Sequence, residues 1–173
     1  MNWGANEEEI ISYMPGDELS SDPEFNATRV IEINASPEEV WPWLVQMGGG
    51  RAGFYGFDIL DNRGKPSADR IIQELQNLSV GDSILPLLKV IEIEPARYML
   101  WQFSEGAGGW GNATWSWQLN ETENRTTRLI SRLRKEYNTD SLMELSMYKF
   151  QEITEIFMMR TCLLGIKKRV ESW

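Results

Sequence analysis

The 173-residue chain holds 17 basic and 26 acidic side chains, a formal net charge of −9, and no histidine. Its 42% hydrophobic and 25% charged content suit one globular domain with a sizeable core, not the dense basic surface that nucleic-acid binders need. The missing histidine excludes Ser-His-Asp and Cys-His nucleophiles and histidine-based metal sites, and no cofactor is expected.

The acidity is local. Seven carboxylates fall within residues 1–24, which contain no Lys or Arg, so residues 25–173 hold 19 acidic against 17 basic groups. No polybasic stretch is drawn to an anionic membrane, and no run of 18 apolar residues predicts a membrane span. The opening MNWGANEEE lacks the basic start and apolar run of a secretory signal. With Cys162 as the sole cysteine, no intramolecular disulfide is possible, and a cytoplasmic setting is expected.

In chain order, residues 1–24 form an acidic lead-in with turns at Met14–Asp17 and Ser21–Pro23, expected to be a solvated tail partly strapped to the domain of residues 25–173. Phe25–Asn34 alternates as a strand, with Arg29, Ile31 and Ile33 on one face. A helix then starts at Ser36. Pro37 stands at its first position, Glu39 completes an S-x-x-E capping box, and Val40, Trp43, Leu44 and Met47 form its apolar face. Gly48–Gly50 ends it; the run lacks the G-K-[ST] of a phosphate loop and follows a helix instead of opening one. Residues 51–63 predict a short helix or an irregular crossover, and Ile71, Ile72, Leu75 and Leu78 predict a helical turn or two.

From Gly81 the period changes to two. Strands are predicted over Asp82–Leu87, Leu88–Glu94, Tyr98–Phe103, Ala113–Asn120 and Thr126–Tyr137, with a flexible turn at Gly106–Gly109. Ala113, Trp115, Trp117 and Leu119 share one apolar face, as expected of an antiparallel sheet wetted on the other side. On the last strand, Leu129 and Leu133 are expected inside and Arg128, Arg132 and Arg134 on a solvated outer face. Ser141 to about Val170 predicts one long helix with Met143, Met147, Phe150, Ile153, Phe157 and Leu164 along its packing stripe, widened by Ile156 and Leu163. Such a helix is the element large enough to cover the sheet, and the space between them is either filled or a cavity.

The runs TRVIEINASPEEVWPWLVQMGGGRAGFYGFD, VGDSI, TRLISRLR and MMRTCLLGIKKRVE resemble the START-like superfamily, and within it the SRPBCC group with its polyketide cyclase/dehydrase-type proteins. The resemblance spans roughly residues 25–170. It implies an α+β helix-grip fold, a curved antiparallel sheet wrapped around a long C-terminal helix, with an apolar or amphipathic small molecule in the central cavity. The superfamily's ring-hydroxylating oxygenase branch needs histidine metal ligands, which this chain lacks.

Candidate site residues follow. Trp101, Phe103, Trp115 and Trp117, opposed by Phe157 and Met158, either pack as plain core or line a pocket; the resemblance implies the pocket. Arg51, Tyr55 and Asp58 follow the glycine break as candidate polar groups; Arg51 suits a carboxylate or phosphate, or equally a structural pair with Asp58 or Asp61. Glu32, Glu92 or Glu94 would serve as an acid or base if turned inward, and Cys162 reads as a packed thiol. The leading expectation is a binder or carrier of a hydrophobic or amphipathic small molecule, with no nucleic-acid partner and no membrane insertion. The alternatives are a cyclase, dehydratase or hydrolase acting on a polyketide-like or ester substrate, and a protein-interaction module.

Overall fold

The computed structural model describes residues 2–104 and 110–173. The Gly106–Gly109 turn lies outside the described residues. Six strands form one antiparallel sheet in the order β1-β6-β5-β4-β3-β2. They are β1 (Phe25–Ile33), β2 (Ser83–Leu85), β3 (Leu88–Glu94), β4 (Tyr98–Phe103), β5 (Trp110–Glu121) and β6 (Thr127–Tyr137). The helices are α1 (Glu7–Ile11), α2 (Pro37–Val45), α3 (Asp58–Asp61) and α4 (Leu142–Glu171), with a 3-10 turn at Gln73–Leu75. No helix among the described residues is long and apolar enough to cross a membrane.

The local signals around Ser36 fold as their chemistry requires. Glu39 Oε2 accepts from the Ser36 N–H at 2.8 Å, closing the capping box of α2. Val40, Trp43, Leu44 and Met47 are all buried against the sheet. The Ile71–Leu78 stretch yields only one 3-10 turn, because its polar backbone is held by Gln46 rather than by a helix of its own.

The lead-in is strapped to the sheet more closely than expected. Glu9, Met14 and Ser20 are buried on its convex face, while Glu7, Glu8, Ile11, Tyr13, Glu18 and Asp22 stay exposed. The free edge of β1 is covered: Thr28 N–H donates to Asn2 Oδ1 and Val30 N–H to the Trp3 carbonyl. Met14 is fully buried on Val30 and Ile130, and Arg128, Arg132 and Arg134 pair with Glu9 and Asp17 of the lead-in. Two of the seven lead-in carboxylates, Glu9 and Asp17, thus pair with the basic face of β6, which is covered and not solvated. Arg132 is 2% exposed.

This strap carries a pH dependence. Burial pushes the Glu9 carboxyl up, but its hydrogen bonds from Arg128 and the Asn6 N–H outweigh that and hold it below the ordinary value of 4.5. A depressed carboxylate contributes stability above its unfolded pKa and loses it as pH falls through the folded one. Amide exchange in residues 7–20 should therefore accelerate below pH 4.5 before exchange in β5 and β6 does. Simultaneous release of both would show that the strap and the sheet open as one unit.

The long helix is present but turned. The expected stripe of Met143, Met147, Phe150, Ile153, Phe157 and Leu164 faces solvent, while Tyr148, Glu152, Met159, Cys162, Leu163, Ile166 and Val170 face the sheet. The reason lies in β6. Its inward alternation continues past Leu133 to Lys135 and Tyr137, and a buried ammonium requires a counter-charge. Glu152 and Glu155, on the face of α4 opposite the apolar stripe, supply it. The first half of α4 therefore turns a polar face inward, and its second half packs Leu163, Ile166 and Val170 on the main core.

Candidate functional site

The concave face of the sheet is where the sequence-predicted aromatics converge. Trp101 from β4 lies opposite Trp115 of β5 in register, and Trp117 is two residues further along β5, which puts all three side chains on one face. Their ring centroids are 5.1–5.5 Å apart, and Phe54 of the crossover stacks on Trp115 at 6.1 Å. Trp101 and Trp117 are fully buried; Phe103 is half-buried at the junction of the two inner core clusters. Trp115 Nε1 donates to Ser131 Oγ at 2.8 Å, but the Nε1 groups of Trp101 and Trp117 have no acceptor.

The other sequence-predicted residues are placed elsewhere. Phe157 is 57% exposed on the outer face of α4 and does not meet the tryptophans, because the helix is turned by its Glu152 and Glu155 contacts. Arg51 is spent on backbone: Nε donates to the Met47 carbonyl at 3.1 Å, and Nη2 to Val45 and Leu75 at 3.1 and 3.2 Å. It caps the C-terminus of α2, makes no ion pair with Asp58, and ties α2 to the Gln73–Leu75 turn. Asp58 instead accepts from Ser67 Oγ.

Tyr55 sits in the left-handed region with φ +61° and is buried. Its hydroxyl donates to the Trp43 carbonyl and accepts from Gln46 Nε2, both at 2.9 Å. Burial raises its pKa well above that of a free tyrosine, so the phenol is neutral and already engaged. Cys162 is buried, its thiol 3.9 Å from Met47 Sδ. Glu32 and Glu92 are exposed, and Glu94 is tied to Arg97 at the surface.

Several residues that the sequence did not single out complete the interior. Gln46, fully buried, bonds Tyr55, Arg70, Ile72 and Gln76 and so holds the whole crossover. Lys135 pairs with Glu155, and Tyr137 donates to Glu152 Oε1 at 2.7 Å. Desolvation pushes the Glu155 carboxyl up despite Lys135, and the Lys135 ammonium down despite Glu155. Arg29 of β1 is 3% exposed, faces the concave side in the row Arg29–Ser131–Trp117, and leaves its Nε without a partner. The alternation of β1 and β6 already points Arg29, Lys135 and Tyr137 inward.

No family model matches the chain, and no curated sequence matches it. Solved structures do. The Zhui aromatase/cyclase from Streptomyces sp. R1128 is similar with a TM-score of 0.52 at 12% identity, over 85% of this chain and 93% of that one. The di-domain aromatase/cyclase BexL from the BE-7585A biosynthetic pathway has a TM-score of 0.51 at 14% identity, over 89% of this chain and 53% of its own. A solution structure from Thermobifida fusca gives 0.53 at 7% identity, over 84% and 92%. At these identities the likeness concerns architecture: a curved antiparallel sheet gripping a C-terminal helix. The chain has the helix-grip fold that these structures share.

Proposed function

We propose that this chain binds a hydrophobic or amphipathic small molecule between the concave face of its sheet and α4. The observation that carries this reading is the wall of Trp101, Trp115 and Trp117, in which two fully buried indole N–H groups lack an acceptor. A purely packed core rarely leaves such groups unpaired, since each costs about 1–3 kcal/mol. Phe103 extends the apolar wall, while Arg51 and Tyr55 brace its end through backbone contacts. Aromatase/cyclases with this fold support a ligand-holding role by analogy of architecture.

A second reading, catalysis, is favoured by the inward Glu155–Lys135 pair: a carboxyl raised by burial beside an amine lowered by it is suited to proton transfer. One experiment addresses both. Native mass spectrometry followed by solvent extraction should release an apolar compound from the purified protein, and methyl 2-naphthoate should bind by calorimetry. Trp117→Ala should weaken that binding about tenfold or more. An empty protein that binds neither the naphthoate ester nor 2-naphthoate itself overturns the binding reading, and chemical change of the extracted compound on incubation favours the enzyme. A doubled mass instead favours an interaction role for the exposed apolar face of α4.

A further inference from the structure

The concave face contains a charge with no counter-charge. Arg29 is 3% exposed and enters none of the ion pairs found among the described residues. Its neighbours make this worse. In its cross-strand row stand Ser131, whose oxygen already accepts from Trp115 Nε1, and Trp117, which offers a second unpaired donor. From α4 the group that acts on it is Arg160, another cation, stacked on Trp3 at 5.1 Å. Trp101, whose ring centroid is 5.5 Å from that of Trp117, adds a third donor without an acceptor.

A guanidinium cannot shed its proton to escape burial, so an unpaired one inside a protein is strongly unfavourable. The unpaired Arg29 guanidinium, on a face whose indoles offer further donors and no acceptor, defines the missing partner: an oxygen anion that enters from outside. Resting on the binding reading above, we propose that the ligand is an apolar, ring-bearing molecule with an anionic oxygen, a carboxylate or phenolate, seated on Arg29. Its apolar body lies along the tryptophan wall. The polar anchor is thus on β1, across the sheet from the Arg51–Tyr55 crossover.

The test compares 2-naphthoate with its methyl ester by calorimetry at low salt, using wild type, Arg29→Met and Arg29→Lys, with a thermal melt of each ligand-free protein. Wild type should prefer the carboxylate by about tenfold or more, the scale of a charge-assisted bond in a dry site. Arg29→Met should erase that preference, with the ester little affected, and Arg29→Lys should restore part of it. Because methionine removes an uncompensated buried charge, the ligand-free Arg29→Met protein should melt higher than wild type. A structural arginine predicts the opposite, so a lowered melting temperature overturns the proposal even if the variant binds nothing. Equal wild-type affinity for the two probes, or a preference that survives Arg29→Met, overturns it as well. Failure of both probes to bind wild type defeats the binding reading on which it stands.

Discussion

Replacing Arg132 by alanine should cost this protein about 3–5 kcal/mol, the range for breaking a buried, hydrogen-bonded ion pair. All five N–H groups of its guanidinium are engaged. Nε donates to Thr28 Oγ1 at 3.0 Å; Nη1 donates to Asp17 Oδ2 at 2.6 Å and the Ser12 carbonyl at 2.8 Å; Nη2 donates to the Glu9 and Ile10 carbonyls at 2.8 and 3.0 Å. Alanine would take a donor from three carbonyls of the lead-in, of which that of Glu9 keeps Ser12 Oγ at 3.3 Å, and would leave Asp17 with the Met14 N–H and one ion pair, to Arg134 at 3.1 Å. For a chain of this length the loss converts to a fall in Tm of roughly 10 °C. Arg132→Lys should recover little, since one ammonium cannot reproduce five fixed donor directions. Calorimetric melts of the two variants make the check; a melt within a degree or two of wild type would mean that residues 2–20 are not part of the cooperative fold.

The same arginine shows where sequence reasoning stops. Alternation along β6 correctly separates Leu129 and Leu133 from Arg128, Arg132 and Arg134, but alternation fixes only which residues share a face, not what covers that face. Whether residues 1–24 meet those arginines is a tertiary fact, hinted at only by seven carboxylates with no local cation. The Ser36–Glu39 capping box and the strand bounds of β3 and β4 were legible because their causes lie within a few residues. The inward face of α4 was not. Its outer side carries six large apolar residues at helical spacing, so hydrophobicity alone selects the wrong side. The deciding contacts, Lys135 with Glu155 and Tyr137 with Glu152, join residues 15–20 positions apart on different elements. Among the candidate site residues, the tryptophans were legible from strand parity. Arg51 and Tyr55 read from the sequence as candidates to orient a ligand's polar end; their partners in the fold are backbone carbonyls and Gln46, which no spacing rule reports.

A second large loss is expected from Gly165→Ala. In an ordinary helix interior this change stabilises by about 1 kcal/mol, because alanine is the better helix former. Here a Cβ would stand 1.9 Å from the Tyr55 carbonyl oxygen and 2.8 Å from its carbon, far inside contact distance. Tyr55 cannot yield. Its backbone is in the left-handed region, its N–H donates to Ser67 Oγ at 3.0 Å, its hydroxyl is held by Trp43 and Gln46, and Arg169 stacks on its ring at 4.6 Å. The helix is equally fixed, with Arg169 Nε on the Ala68 carbonyl and Ile166 fully buried. The clash should therefore outweigh the propensity gain and destabilise by about 3 kcal/mol or more, again roughly 10 °C in Tm. Because the obstacle is a backbone atom, truncating the Tyr55 ring in the same protein should not rescue it, and a double-mutant cycle in Tm reads that directly. A rise in Tm for the single variant would instead place α4 away from the crossover. Since Phe54, next to Tyr55, stacks on Trp115, a helix pushed off this contact also loosens the tryptophan wall. Binding of methyl 2-naphthoate to Gly165→Ala should then weaken even though Gly165 does not touch those tryptophans.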